Sequence, residues 1–210
     1  MQRVQNRRQL HLIATATTLL TDEGLARVRS ALDAGVDAVQ VREPGASARA
    51  MLTAANRLAP HAAESGTALI INDRVDVAAV LGNAGVHLGA RSLPAALVRR
   101  SFALPLIGVS VHSKEEAIAA AGADYVTYGH VFATGSHPGE PPRGISALAD
   151  VVTSVDLPVI AIGGIAAGNV AEVIATGCAG IAVISAILDA ADPGAATHAL
   201  RTSLDQTPLS

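Results

Sequence analysis

"PVIAIGGIAAGNVAEVIATGCAGIAVIS", Pro158 to Ser185, decides the fold. It opens on an apolar run of β-branched and small residues, turns at Gly163 and Gly164, and passes through an Ala-rich amphipathic stretch that closes on Gly177. A second apolar run, "GIAVIS", follows. Short apolar runs without alternation are what strands covered on both faces look like. Gly177 sits where the C′ position of a helix favours glycine. A strand, a helical return and a strand make a parallel pair with a right-handed crossover.

The same rhythm fills the chain in both directions. The expected strands are "LHLIA" (10–14), "DAVQVRE" (37–43), "ALIIN" (68–72), "AGVHL" (84–88), "PLIGVSV" (105–111), "DYVTYGH" (124–130), "PVIAIGG" (158–164) and "GIAVIS" (180–185). Helical stretches such as "DEGLARVRSALDAG" lie between them, and Gly35, Gly66 and Gly122 end three more helices as Gly177 does. Eight such units in about 200 residues predict an α/β fold, a single-domain (β/α)8 TIM barrel over residues 10–205. An open doubly wound sheet is the other arrangement, but no GxGxxG follows the first strand. Residues 1–9 are expected to be a poorly ordered lead. "MQRVQNRRQLHLIATATTLL" has a basic start, yet three Thr interrupt its apolar part and no small-residue cleavage site follows, so a first strand is expected and not a signal peptide.

Composition narrows the function. Net charge is −3 with no basic block, and aromatics are 2% of the chain, so no nucleic-acid partner is expected. No apolar run reaches the ~18 residues of a membrane span. Cys178 is the one cysteine, which excludes an internal disulfide and a Cys-based metal site. A cytoplasmic protein that can form a homo-oligomer is expected.

In a barrel of this kind, chemistry sits at the C-terminal ends of the strands. Period two turns Gln40 and Arg42 toward the interior, as an internal salt bridge or as substrate contacts. Asn72 and Asp73 end the third strand, and Asp76 follows one turn later; acidic residues there also suit helix capping. His87, Ser110 and His112 lie near the rim. His87, His112 and His130 sit on neighbouring strands, but not at the spacing of a helix-borne ligand pair, and no metal site is expected. Gly163 and Gly164, with Ile184 and Ser185 after the last strand, read as two tight turns or as a phosphate cradle of backbone amides. "YGHVFATGSHPGEPPRG" (128–144) is the longest connection after a strand, which makes it a functional loop. His130 at its root is placed for proton transfer, with Tyr125, Tyr128 and Phe132 expected to wall the pocket from water.

"VQVRE", "LIINDRVDVA", "GVHLG", "IGVSVHS", "YGHVF", "PVIAIGGI" and "GIAVISAI" occur in the order and spacing of one family. The chain resembles the thiamine phosphate synthase/TenI superfamily over nearly its whole length. That superfamily holds a synthase, which joins an aminopyrimidine diphosphate to a thiazole phosphate and releases pyrophosphate with Mg2+. It also holds a thiazole tautomerase, an isomerase that needs no cofactor. The synthase pattern has Lys where this chain has Pro44, Asp where it has Ser92, and a TxTK-like run where it has Thr134, Ser136 and His137. The TenI pattern has the histidine of "GHVF" and the "RG" at Arg143–Gly144.

The resemblance to TenI therefore implies a tautomerase acting on a phosphorylated thiazole, with His130 as proton carrier. Gln40, Arg42, Asn72, Ser110 and Thr134 are the implied substrate contacts, and Gly163, Gly164, Ile184 and Ser185 the implied phosphate cradle. The alternatives are the synthase and a non-catalytic thiazole or thiamine phosphate-binding regulator.

Overall fold

The computed structural model describes residues 7–136 and 138–206. Eight parallel strands close into a barrel in sequence order: β1 (Gln9–Ala14), β2 (Ala38–Val41), β3 (Ala68–Asn72), β4 (Gly85–Leu88), β5 (Ile107–Val111), β6 (Tyr125–Gly129), β7 (Val159–Ile162) and β8 (Gly180–Val183). β1 pairs with β2 on one side and β8 on the other, which completes the ring. All eight expected strands are present, each within a few residues of its expected bounds. The barrel is a single (β/α)8 domain. Gln9 already belongs to β1 and Arg8 is buried, so the barrel starts before residue 10; residues 1–6 of the expected lead lie outside the described residues.

The helices are α1 (Ala16–Leu20), α2 (Asp22–Asp33), α3 (Ala48–Ser65), α4 (Val75–Leu81), α5 (Ala95–Ser101), α6 (Lys114–Ile118), α7 (Gly144–Val152), α8 (Val170–Ile174), α9 (Ser185–Leu188) and α10 (Pro193–Asp205). Local chemistry starts and stops them. Thr21 and Ser47 accept from the third amide of α2 and α3. Gly66 ends α3 in the left-handed region at φ 72°. No helix among the described residues is long and apolar enough to cross a membrane.

The period of two splits the strand residues into two layers. Leu10, Leu12, Val39, Val41, Ile71, Val86, Val126 and Ile181 point outward and pack under the helices in the main core. Ile13, Ala38, Ile70, Tyr125, Ile160 and Ala182 point inward and fill the barrel. Burying each large aliphatic side chain stabilises the fold by about 1.5–3 kcal/mol. Polar groups lock the N-terminal end. Asp37 accepts from Arg201 Nη1 at 2.8 Å and from the Leu10 amide at 2.8 Å, and Arg201 Nη2 donates to the Arg8 carbonyl at 2.6 Å. That end serves stability, and the opposite end is free for chemistry.

Candidate active site

A cavity of about 790 Å³ opens at the C-terminal mouth of the barrel, a size suited to small molecules. The ten residues expected to form the site all line it: Gln40 on β2 and Arg42 just after it, Asn72 at the tip of β3, Ser110 on β5, His130 and Thr134 after β6, Gly163 and Gly164 after β7, and Ile184 and Ser185 after β8. His137 lies outside the described residues. Asp73, His87, Arg91, Tyr125 and Thr127 line the cavity as well.

The floor is a hydrogen-bonded polar layer. His87 Nδ1 lies 3.0 Å from the Tyr125 hydroxyl, and its Nε2 lies 2.9 Å from Ser110 Oγ and 3.2 Å from Thr127 Oγ1. His11 meets Tyr125 edge to face at 5.4 Å. Burial, with smaller contributions from His11 and Arg42, lowers the His87 pKa to about 3, against an opposing effect of Asp73. Burial lowers His11 to about 4, opposed by Asp37. Both rings are therefore neutral at pH 7. The sequence reading placed His87 at the rim; it is a buried part of the floor, 3% exposed. Gly108 makes room for the layer, because a Cβ there would lie 2.2 Å from Tyr125 Cζ and 2.5 Å from His87 Nδ1. Gln40 is buried beside the layer, and its side chain has no hydrogen bond to another described residue, so its amide is left to the cavity.

The mouth is organised by Asp73. This residue has φ 59°, a left-handed conformation in which Asp and Asn are enriched among non-glycine residues. Its Oδ1 accepts from the Gly89 amide at 3.0 Å and from the Ser92 hydroxyl, and its Oδ2 accepts from Asn72 Nδ2 at 2.8 Å. The capping expectation for these acidic residues is corrected: Arg74 is the N-cap of α4, without a side-chain cap bond, and Asp76 pairs with Arg74. Arg42 lies just past β2 and is exposed, and it forms no salt bridge among the described residues, so the internal ion pair considered for it is absent.

The long loop is tied at its root. The Arg143 amide donates to the His130 carbonyl at 3.0 Å, the Gly144 amide to the Val131 carbonyl at 3.1 Å, and Arg143 Nε to the Gly129 carbonyl at 2.8 Å. His112 Nδ1 lies 3.0 Å from that Gly129 carbonyl. His130 is buried, with Nε2 3.4 Å from the Glu140 carbonyl. The expected aromatic wall is corrected in part. Tyr125 lines the cavity, but Tyr128 and Phe132 pack in the outer core, because alternation along the strand turns Tyr128 away from the interior.

After β7, Gly163 and Gly164 have φ 102° and 65°. A Cβ on Gly163 would lie 2.3 Å from His130 Cβ, and one on Gly164 2.5 Å from the Ala133 carbonyl oxygen, so only glycine lets this turn pack under the loop. The Gly164 and Ser185 amides have no hydrogen-bond acceptor among the described residues.

Residues 10–187 match the family described as thiamine monophosphate synthase. The thiamine-phosphate synthase of Roseiflexus castenholzii is 46% identical over 82% of this chain and 78% of its own length. That of Chloroflexus aurantiacus is 40% identical over 94% of this chain and 96% of its own. The structure of thiamine phosphate pyrophosphorylase from Pyrococcus furiosus superposes with a TM-score of 0.84 at 38% identity, covering 94% of this chain and 96% of that one. These similarities overturn the expected isomerase: relatives at this identity are named as synthases, which are transferases, and not as tautomerases. The role of His130 as proton carrier rested on that reading and falls with it. The resemblance to the wider superfamily stands, and with the match over most of its length the chain belongs to the thiamine monophosphate synthase family.

Proposed function

We propose that this chain is a thiamine-phosphate synthase, joining an aminopyrimidine diphosphate to a thiazole phosphate with release of pyrophosphate. A carbon–nitrogen bond forms as the carbon–oxygen bond to the diphosphate breaks, and the electron pair of the broken bond leaves on pyrophosphate. The thiazole nitrogen becomes cationic without losing a proton, so no acid–base residue is needed at that step. His130 then serves as a packed root for the loop. The main burden is neutralising the departing diphosphate with preorganised donors.

The observation that carries the reading is the joining of three features in one cavity. Arg42, Asn72 and Asp73 stand at the mouth, the Gln40–Ser110 floor lies below, and the Gly163–Gly164 turn lies opposite. In this assignment Arg42 and Asn72 take the diphosphate, with the Thr134 and Ser136 hydroxyls of the loop. Gln40 and Ser110 face the pyrimidine ring. The backbone of Gly163, Gly164, Ile184 and Ser185 holds the thiazole phosphate.

A magnesium ion is usually held by one or two carboxylates plus substrate phosphate oxygens. Among the described residues no group of three His, Cys, Asp or Glu side chains is placed to hold a metal, so the ion would have to share the diphosphate. Asp73 fits that role. A carboxylate offers about four acceptor sites, and Gly89, Ser92 and Asn72 occupy three. When bound, the ion would neutralise charge on the leaving group.

The test is incubation of the protein with both substrates and Mg2+, following pyrophosphate release and thiamine phosphate by mass spectrometry. Formation of both products in equal amounts is expected. Absence of coupled product with active substrates overturns the reading.

A further inference from the structure

We propose that Arg91 is a diphosphate-binding residue of this site, supplying the positive charge that the family's lysine positions do not supply here. The proposal rests on the synthase reading. The resemblance places Lys at 44, Asp at 92 and Lys near 137, which together carry one net positive charge. Pro44, Ser92 and His137 carry none in the formal charge count at pH 7. A diphosphate leaving group makes that loss costly, because charge develops on it as the bond breaks.

Geometry places Arg91 to make up the difference. Gly89, Ala90, Arg91 and Ser92 form a tight turn closed by the Ser92 amide on the Gly89 carbonyl at 3.0 Å. Both ends of this turn are fastened to one carboxylate, since the Gly89 amide and the Ser92 hydroxyl both donate to Asp73 Oδ1. Ser92 Oγ also accepts from the Gly89 amide at 2.8 Å. The turn is thus pinned over the tip of β3, and Ala90 and Arg91, at its apex, both border the cavity. Serine at 92 takes part in this pinning where an aspartate beside Asp73 would repel it.

The Arg91 guanidinium is also available. Arg27, Arg57, Arg74, Arg99, Arg143 and Arg201 all donate to carboxylates or carbonyls of the protein. Arg91 forms no side-chain hydrogen bond or salt bridge among the described residues, and neither does Arg42 on the other side of Asp73. Two uncommitted guanidinium groups therefore flank the carboxylate assigned to the metal. Arginine suits the task, because its planar fork can take two phosphate oxygens at once.

The experiment is Arg91→Gln and Arg91→Lys in the full chain, with two readouts. Titration calorimetry with inorganic pyrophosphate and Mg2+ reports binding without turnover. Steady-state kinetics with each substrate varied reports the reaction. Arg91→Gln is expected to weaken pyrophosphate binding and lower kcat/KM for the aminopyrimidine diphosphate by on the order of 10- to 100-fold. KM for the thiazole phosphate should stay within twofold, and Arg91→Lys should recover part of the loss. Pyrophosphate affinity and kcat/KM both within twofold of wild type in Arg91→Gln would overturn the proposal. A wild-type protein that turns over no substrate would sink the synthase reading instead, and the pyrophosphate titration then judges Arg91 separately.

Discussion

His87 Nε2 lies 2.9 Å from Ser110 Oγ on the cavity floor, while the opposite ring nitrogen lies 3.0 Å from the Tyr125 hydroxyl. A neutral imidazole has one donor nitrogen and one acceptor nitrogen, so the role taken by one fixes the role of the other. If Tyr125 donates to Nδ1, then Nε2 donates to Ser110, and the serine hydroxyl hydrogen is left to point into the cavity.

This arrangement ties stability to pH. His87 and His11 have folded pKa values of about 3 and about 4, below the reference of about 6.5 for the unfolded chain. The unfolded state therefore binds more protons as pH falls below about 6.5, and stability declines from there toward the folded values. At pH 5 each histidine costs about 2 kcal/mol relative to pH 7.5. The lowered pKa of Asp76 acts only below its ordinary 3.8, outside this window. Urea unfolding should give a clearly lower midpoint at pH 5 than at pH 7.5 and nearly equal midpoints at pH 7 and 8. Equal midpoints at pH 5 and 7.5 would show that the rings are protonated without penalty.

Gly108→Ala should damage this floor. The new methyl would meet Tyr125 Cζ at 2.2 Å and His87 Nδ1 at 2.5 Å, both inside buried, hydrogen-bonded groups that have little room to move. Overpacking of this kind costs about 1–3 kcal/mol, and here a displaced Ser110 should also lower turnover. Gly168→Ala is the control, because its Cβ would meet nothing within 4 Å. Thermal unfolding should separate the two variants by several degrees; equal melting temperatures would contradict the packing described.

At the other end of the barrel, Arg201→Met should cost stability without touching chemistry. Arg201 holds Asp37 with both side chains largely buried, and it also caps the Arg8 carbonyl. Asp37 keeps Arg7 and the Leu10 amide as partners, so losing Arg201 removes its charged hydrogen bonds without orphaning the carboxylate and costs about 1.5–3 kcal/mol. The melting temperature should fall sharply while kcat, measured well below the transition, stays near wild type. A large fall in kcat in the folded protein would mean that the two ends of the barrel are coupled.

The barrel was legible because each strand is a short apolar run followed by a helix with polar or glycine signals at its ends. Gln40, Ser110 and the Gly163–Gly164 pair were legible for the same reason, since alternation or a turn fixes which way they face. Asp73 was not, because acidic residues at a helix start usually cap it, and only the folded chain shows its carboxylate turned across to Gly89 and Ser92. Arg91 sits in a turn, where no periodicity says which side chain overhangs the cavity. That gap misdirected the functional reading. Pro44 and His137 read as lost charge, while the guanidinium bordering the same mouth lies far from both in sequence. His87 was harder to place: a histidine near a strand end reads as a rim residue, but it is a neutral part of the floor.

Asp73→Asn tests the site with the least disturbance to the fold. Asparagine is also enriched at positive φ, so the backbone at 59° should persist. Its amide oxygen can still accept from Gly89 and Ser92, which keeps the turn over the cavity. Its NH2 group, however, would then face Asn72 Nδ2, donor against donor, and the negative charge assigned to the metal and diphosphate is gone. Turnover should drop by on the order of 10²- to 10³-fold, the size of effect seen when one preorganised group is lost from a transition-state site. The Mg2+ concentration for half-maximal rate should rise, and the melting temperature should change little. Asp73→Ala should lose activity and also stability, because alanine resists the left-handed conformation by about 1–2 kcal/mol and releases both ends of the Gly89–Ser92 turn. If Asp73→Asn kept wild-type kcat/KM and Mg2+ dependence, Asp73 would be only a clamp for its neighbouring loop, and the metal assignment made from its free acceptor site would be wrong.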